Sequence, residues 1–177
     1  MTHFAVAAVG ADRPGIVAAV TRAFVDHGCN LEDSSMTILR GQFAMMLVVD
    51  APEGVGAPEL EQALAAPAAE LDLVVTVRPA AEAEPPPPDS SWRVSVHGAD
   101  RPGIVHGVTS LLAERSVNIV DLSTRVVGAP GNALYTMVLE VTLPPGSDPT
   151  GLARDLEAKA AELGITCRLH PSEADIL

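Results

Sequence analysis

The sequence predicts an α+β fold built from two ferredoxin-like βαββαβ modules, each a four-stranded antiparallel sheet with two helices on one face. Three observations predict it: an unchanged internal repeat, alternating apolar residues at the start of each half, and apolar stripes at helical spacing between the strands. The repeat, residues 10–17, returns as residues 98–105, an offset of 88. After Gly41 the offset becomes 92, so the second half has four additional residues near 128–132.

Each module begins with an alternating pattern that is typical of a strand with one buried face. The residues predicted to face the core are Phe4, Val6 and Ala8 in the first module, and Trp92, Val94 and Val96 in the second. The opposite face carries Ala5, Ala7 and Val9 in the first module, and Arg93, Ser95 and His97 in the second. Because this face is apolar in the first module, we expect the other module or a second chain to cover it.

A helix follows the repeated loop in each module. The stripes predicted to face the core are Ile16, Val17, Val20, Ala23 and Phe24, and in the second module Ile104, Val105, Val108, Leu111 and Leu112. His27 and Gly28 end the first of these helices, because glycine readily adopts the left-handed conformation that stops a helix.

A hairpin, a second helix and a last strand complete each module. The first hairpin is predicted to turn at residues 40–42, and its counterpart at 128–132. The second helices are predicted to bury Leu60, Leu64, Ala68 and Leu71, and Leu152, Leu156, Ala160 and Leu163. The last strands carry Leu73, Val75 and Val77, and Ile165, Cys167 and Leu169. Pro67 falls within the first of these helices, so we expect a kink or a shortened helix there.

This order of elements predicts two right-handed strand–helix–strand crossovers per module, which place both helices on one face of a four-stranded antiparallel sheet. The predicted domains are residues 1–79 and 91–171, followed by a tail at 172–177. Residues 80–90 form the predicted linker, which contains four consecutive prolines and is expected to be a stiff, extended spacer.

Charge and composition exclude several classes of function. The formal net charge is −12, and only 11 residues are Lys or Arg, so binding to nucleic acid or to an anionic membrane is disfavoured. Aromatic residues make up 3%, too few for a sheet that stacks RNA bases. The two cysteines lie outside any metal-binding or redox motif, and no secretion signal is evident at the N-terminus, so we expect reduced thiols and a cytoplasmic protein.

The repeated loop is the strongest candidate for a binding site. Gly15 and Gly103 leave the start of a helix without a side chain, and such a helix end attracts anions through its free amides. Asp12 and Asp100 add a carboxylate nearby, a combination that suits a zwitterion. The alternative is that each Asp caps the helix by accepting a hydrogen bond from the glycine amide.

Asn30 and Asn118 stand where the first helix turns into the second strand. Their side-chain amides both donate and accept, which would serve a ligand that carries both kinds of group. Asparagine is also a frequent turn residue, so a purely structural role remains an alternative.

The Asp-Arg-Pro-Gly-Ile-Val sequence, followed fifteen residues after its glycine by Asn-Leu or Asn-Ile, resembles the ACT domain, a small regulatory module that binds amino acids. Two such modules with nothing else are similar to the group of glycine cleavage system transcriptional repressors. The resemblance implies a ligand site where two modules meet, formed by Asp12, Gly15, Ile16, Asn30, Asp100, Gly103, Ile104 and Asn118. We expect a crossed arrangement, with Asp12 near Asn118 and Asp100 near Asn30. Some ACT sites carry a His at the positions that Gly10 and Gly98 occupy in this chain. The replacement of that His by glycine would remove one ligand contact here.

The function indicated by these patterns is regulatory. We expect no catalytic residues, no metal and no cofactor, because no nucleophile–base pair, phosphate loop or metal-ligand set is evident. The expected role is to sense a small amino acid of the glycine or serine class and to modulate a partner regulatory protein or enzyme, with a homodimer as a candidate assembly. The alternative is a ligand-free regulatory subunit that acts on a separate enzyme of amino-acid metabolism.

Overall fold

The computed structural model describes residues 2–81, 90–128 and 133–172 and divides the chain into two compact units, Met1–Glu84 and Pro85–Leu177. Each unit contains one βαββαβ module, which confirms the predicted fold class. The predicted linker core, the second hairpin turn and most of the predicted tail lie outside the described residues.

The first module runs from β1 to β4. Its elements are β1 Thr2–Ala11, α1 Ile16–Asp26, β2 Asn30–Leu39, β3 Gln42–Ala51, α2 Ala57–Leu71 and β4 Leu73–Pro79. The sheet is antiparallel throughout, in the order β2-β3-β1-β4, so β1 occupies the interior and β2 an edge.

The second module repeats this plan from β5 to β8. Its elements are β5 Ser91–Ala99, α3 Ile104–Glu114, β6 Asn118–Val127, β7 Leu134–Thr142, α4 Pro149–Leu163 and β8 Ile165–Pro171. The order β6-β7-β5-β8 matches that of the first module, and both sheets are antiparallel.

Each module has its own apolar core between the sheet and the two helices. The predicted alternation is confirmed in β1, where Phe4, Val6 and Ala8 are buried, and in β3, where Met45 and Leu47 are buried. The first hairpin turns at Arg40 and Gly41, both with positive φ, as the tightest hairpin turns require. These buried residues share the face on which the helices pack, so the helices of the same module do not cover the other face of each sheet.

The helical stripes differ from the prediction at one position in each module. Val17 and Val105 are 40% and 38% exposed, whereas the residues before them, Ile16 and Ile104, are buried. Successive residues on a helix point in directions about 100° apart, so the stripe that buries Ile16 turns Val17 toward solvent.

Pro67 does not shorten α2. The helix has 15 residues, as many as α4 in the second module, and Pro67 lies inside it. Of the two expectations, a shortened helix is therefore wrong, and a kink stays a prediction. Packing explains the difference, because Leu60 and Leu64 anchor the preceding turns in the core and Leu71 still packs against it.

The helices of the described residues are all too short or too polar to cross a membrane.

Candidate functional site

The repeated loop forms the same backbone structure in both modules. Gly15 precedes α1 with φ of 96° and ψ of −10°, and Gly103 precedes α3 with φ of 92° and ψ of −6°. A Cβ added to either glycine would have no heavy atom of another described residue within 4 Å, apart from its chain neighbours, so these positions require glycine for conformation and are otherwise open. Both helix ends are therefore accessible from solvent.

The capping alternative does not hold in the structure. Among the described residues, no side chain forms a hydrogen bond at the cap of either helix, and Asp12 and Asp100 are both exposed. The first intrahelical bonds are donated by Ala19 to Gly15 and by Gly107 to Gly103, so the amides before them have no helical acceptor. The two loops thus present free N–H groups and a nearby carboxylate.

Ile16 and Ile104 can contribute only main-chain atoms to this site. Their side chains are 1% and 2% exposed and belong to the module cores. Each isoleucine therefore fixes the first turn of its helix against the sheet, while its backbone N–H remains at the open end.

Gly10 and Gly98 are packing positions in this chain. A Cβ on Gly10 would lie 2.7 Å from the Asp72 carbonyl oxygen, and one on Gly98 would lie 2.9 Å from the Ile165 Cγ2 atom. Any larger residue, including histidine, would collide with the beginning of the neighbouring strand. The fold therefore accounts for the glycines, and a ligand at this loop depends on the other groups.

Asn30 lies at the opposite end of its sheet from Asp12. Asn30 pairs with Asp50 on β3, whereas Ala11, next to Asp12, pairs with Gln42. The eight residue-to-residue steps from Gln42 to Asp50 correspond to roughly 26 Å along the strand. The register of the second module repeats this separation, because Asn118 pairs with Thr142 and Ala99 with Leu134.

A single module therefore brings together the aspartate, the glycine and the helix end, but not the asparagine. The Asn30 and Asn118 side chains are exposed and accept or donate no hydrogen bond to another described residue. A site that uses both parts needs two modules, and the crossed pairing of Asp12 with Asn118 and of Asp100 with Asn30 stays a prediction.

The second loop has two neighbours that the sequence pattern did not indicate. The Arg101 guanidinium reaches the left-handed Gly164 that ends α4, where a cation is favoured by the helix carbonyls. Burial, together with the nearby Asp100, raises the pKa of Tyr135, which stands opposite Gly98 in the sheet. The corresponding residue in the first module is Phe43, so the two loops are not chemically identical.

Two further polar contacts arise from strand pairing. His3 Nε2 lies 3.2 Å from the Glu32 Oε2 atom across the end of the first sheet. Asp50 on β3 is paired with His3 on β1, and the Asp50 Oδ1 atom is buried without a hydrogen-bond partner among the described residues. No sequence pattern indicated this cluster, because His3, Glu32 and Asp50 are far apart in the chain and come together only through strand pairing.

Both cysteines are free thiols; Cys167 is buried, whereas Cys29 is only partly buried. Burial raises the pKa of Cys167 to about 11, with a smaller contribution from Glu157, and burial together with Asp50 raises the pKa of Cys29. Both thiols are thus protonated at neutral pH and are poor nucleophiles. Within the described ranges, no group of three or more His, Cys, Asp or Glu side chains could hold a metal ion.

Comparisons with known proteins match both modules. A family model described as the ACT domain matches residues 2–78 and 93–170. The glycine cleavage system transcriptional repressor of Escherichia coli K12 is 31% identical over 164 residues, which cover 91% of this chain and 85% of that protein.

Other relatives match one or both modules. The UPF0237 protein of Methanopyrus kandleri is 42% identical over 79 residues, which are 44% of this chain and 88% of that protein. An unknown protein from Galdieria sulphuraria, solved by crystallography, has a TM-score of 0.84 and 28% identity, covering 97% of this chain and 99% of that one. Some relatives therefore contain both modules, and others contain a single module.

Proposed function

The chain belongs to the ACT domain family through both of its modules, as a relative of the glycine cleavage system transcriptional repressors, and from this we propose that it is a regulatory protein that senses a small amino acid. The ligand we propose is of the glycine or serine class. The observation that carries this proposal is the pair of uncapped helix ends, each opened by a left-handed glycine and flanked by an exposed aspartate.

The chemistry of each loop fits the two ends of a zwitterion. The free amides at Ile16 or Ile104 would donate hydrogen bonds to an α-carboxylate, and the helix dipole favours the negative charge there. The carboxylate of Asp12 or Asp100 would accept hydrogen bonds from the α-ammonium group.

The remaining part of the site comes from a second module in our proposal. Asn30 and Asn118 are too far along their own sheets to reach the adjacent loop. We therefore place each asparagine against the loop of another module, completing the ligand set of Asp12, Gly15, Ile16, Asn30, Asp100, Gly103, Ile104 and Asn118. Ligand binding would then stabilise the contact between modules and so alter the surface offered to a partner.

The proposed output is modulation of a partner protein in the cytoplasm, in the control of amino-acid metabolism. The relationship to a transcriptional repressor supports a role in gene control. The net charge of −12 disfavours direct contact with DNA phosphates, so we propose that a partner regulatory protein or enzyme carries the effect.

Thermal melting in the presence of each of the common amino acids tests the proposal. A ligand at a concentration 100 times its Kd stabilises the native state by about 2.7 kcal/mol, which raises the Tm of a small domain by several degrees or more. We expect glycine or serine to raise the Tm and most other amino acids to leave it unchanged. If no amino acid raises the Tm, the chain is instead a ligand-free interaction subunit.

Variants locate the binding to the loops. The double variant Asp12→Asn/Asp100→Asn should lose the ligand-induced rise in Tm, because neutral amides no longer compensate the ammonium charge. The matched control is Glu53→Gln/Glu114→Gln, which removes the same charge from exposed positions elsewhere in both modules and should retain the rise. Equal responses in the two double variants would place the ligand away from these loops.

A further inference from the structure

The outer face of the first sheet is the side away from the helices. Its residues form rows that cross the four strands. Strand pairing defines three rows, written from β2 through β3 and β1 to β4: Asp33–Val48–Ala5–Arg78, Ser35–Met46–Ala7–Thr76 and Thr37–Ala44–Val9–Val74. Every residue that the two central strands contribute to these three rows is apolar. Val9, Met46 and Val74 are 47%, 58% and 71% exposed, so an apolar surface is left open on this module.

Within these three rows, charge is confined to the two edge strands, and the next row toward the end of the sheet carries His3 on β1 and Asp50 on β3. Asp33 on β2 and Arg78 on β4 stand at opposite ends of the same row and are both exposed. The Asp33 carboxylate accepts a hydrogen bond from the Ser34 amide, and neither Asp33 nor Arg78 forms an ion pair with another described residue. Both charges are available to a group that approaches the face.

We propose that this outer face is the interface of a homodimer, in which the first sheets of two chains pack face to face about a two-fold axis parallel to the strands. Such an axis places β2 of one chain over β4 of the other and β3 over β1. Asp33 then faces the partner's Arg78, and Arg78 faces the partner's Asp33. The face is self-complementary in charge, as a two-fold interface requires.

Side-chain size is complementary under the same axis. Each central row pairs one larger residue with one alanine, Val48 with Ala5, Met46 with Ala7 and Val9 with Ala44. Because β3 of one chain lies over β1 of the other, the larger side chain of each row meets the alanine of its partner. Alternating large and small residues across facing layers lets two sheets interdigitate about 10 Å apart.

The size of the outer face fits a weak but specific dimer. Four strands and the rows between them cover roughly 20 Å by 20 Å, so two chains would bury on the order of 1,000 Å², which is the lower limit for a specific interface. The dimer should therefore dissociate on dilution rather than be permanent.

The equivalent face of the second module carries charged residues on its central strands. The row that corresponds to Asp33–Val48–Ala5–Arg78 is Asp121–Glu140–Arg93–His170. Arg93 Nε lies 2.5 Å from Glu140 Oε1, so an ion pair occupies the centre of this face. Burying that pair against a second sheet would cost its hydration, which leaves the outer face of the first module as the site of pairing.

Sedimentation velocity on the full chain over a wide dilution series tests the dimer. We expect reversible dimerisation, and we expect Ala7→Glu to weaken it at least about tenfold by placing two carboxylates in the centre of the interface. The matched control is Ser95→Glu, the same substitution at the equivalent position of the second module, which should leave dimerisation unchanged. Circular dichroism and Tm establish that both variants fold.

Charge reversal tests the proposed axis. Asp33→Arg or Arg78→Asp alone brings like charges together at both edges and should weaken the dimer at least about tenfold. The double variant Asp33→Arg/Arg78→Asp restores opposite charges and should recover dimerisation to within a few-fold of the unmodified chain.

Several results would overturn the proposal. A chain that stays monomeric at the highest concentration shows that the face is open or is covered within the chain. A dimer that Ala7→Glu leaves intact uses another surface, such as an edge strand. Dimerisation that Ser95→Glu weakens equally assigns the contact to both modules. A double charge reversal that fails to recover dimerisation rejects the two-fold axis. These measurements need no amino acid and are independent of the sensing function proposed above.

Discussion

Gly15 and Gly103 occupy a backbone conformation that residues with a Cβ rarely adopt, although there is free space around both. Gly10 and Gly98 are the reverse case, since their conformation is ordinary but a Cβ would collide with the next strand. The sequence alone showed that these glycines recur at fixed positions in the loop. It could not show which of them serve conformation and which serve packing.

Gly15→Ala should destabilise the first module through backbone strain alone. The left-handed conformation costs a residue with a Cβ about 1–2 kcal/mol, and no contact is gained in compensation. Gly15→Asn should cost less, because asparagine tolerates this region better than alanine. Urea denaturation gives the free energies of unfolding, and an alanine variant as stable as the original chain would contradict the assigned conformation.

Residue-scale contacts that join distant strands were the least predictable part of the candidate site. His3 and Glu32 meet because β1 and β2 flank β3, and that register depends on every strand in the sheet. The aspartates and asparagines were identified as candidates from residue type and position. Their separation along one sheet follows only from the strand pairing.

At the scale of the element, the helices and strands followed closely from hydrophobic periodicity. The alternation in β1 and the stripe in α1 depend on local geometry, which the order of residues encodes directly. α2 departed from expectation because its contacts with the sheet hold a helix that contains an interior proline. Tertiary packing there outweighs an unfavourable local preference.

Replacing the interior proline should therefore stabilise α2. Pro67→Ala restores an amide that can donate to the carbonyl four residues earlier, and the expected gain is at least about 1 kcal/mol in the free energy of unfolding. The reciprocal variant, Lys159→Pro at the equivalent position of α4, should destabilise the second module by roughly 3 kcal/mol. A Pro67→Ala variant that is no more stable would mean that the turn around residue 67 is not helical in solution.

At the scale of the whole molecule, the two modules share their loop and topology but differ in their outer faces. Each has a separate core, and the division into compact units falls between residues 84 and 85. The repeat predicted this duplication from the sequence. The difference between the two outer faces was visible in the sequence only at β1, whose outward residues are apolar. The strand pairing shows that these residues belong to rows that cross all four strands of the first sheet.

Separate cores predict that each module folds alone. A fragment of residues 1–81 and a fragment of residues 90–172 should each unfold cooperatively in urea, because each keeps all of its buried core residues. The measurement is far-UV circular dichroism against denaturant, with the full chain as reference. A fragment without a cooperative transition would show that its stability depends on the other module.

The interior position of β1 has a consequence for the chain as it emerges from the ribosome. β1 pairs on one side with residues 42–51 and on the other with residues 73–79, so neither pairing is complete until those later residues have been synthesised. The first sheet therefore closes only when its last strand has left the exit tunnel, and β5 imposes the same delay on the second sheet. Nascent chains should accordingly acquire resistance to protease in two discrete increments rather than gradually.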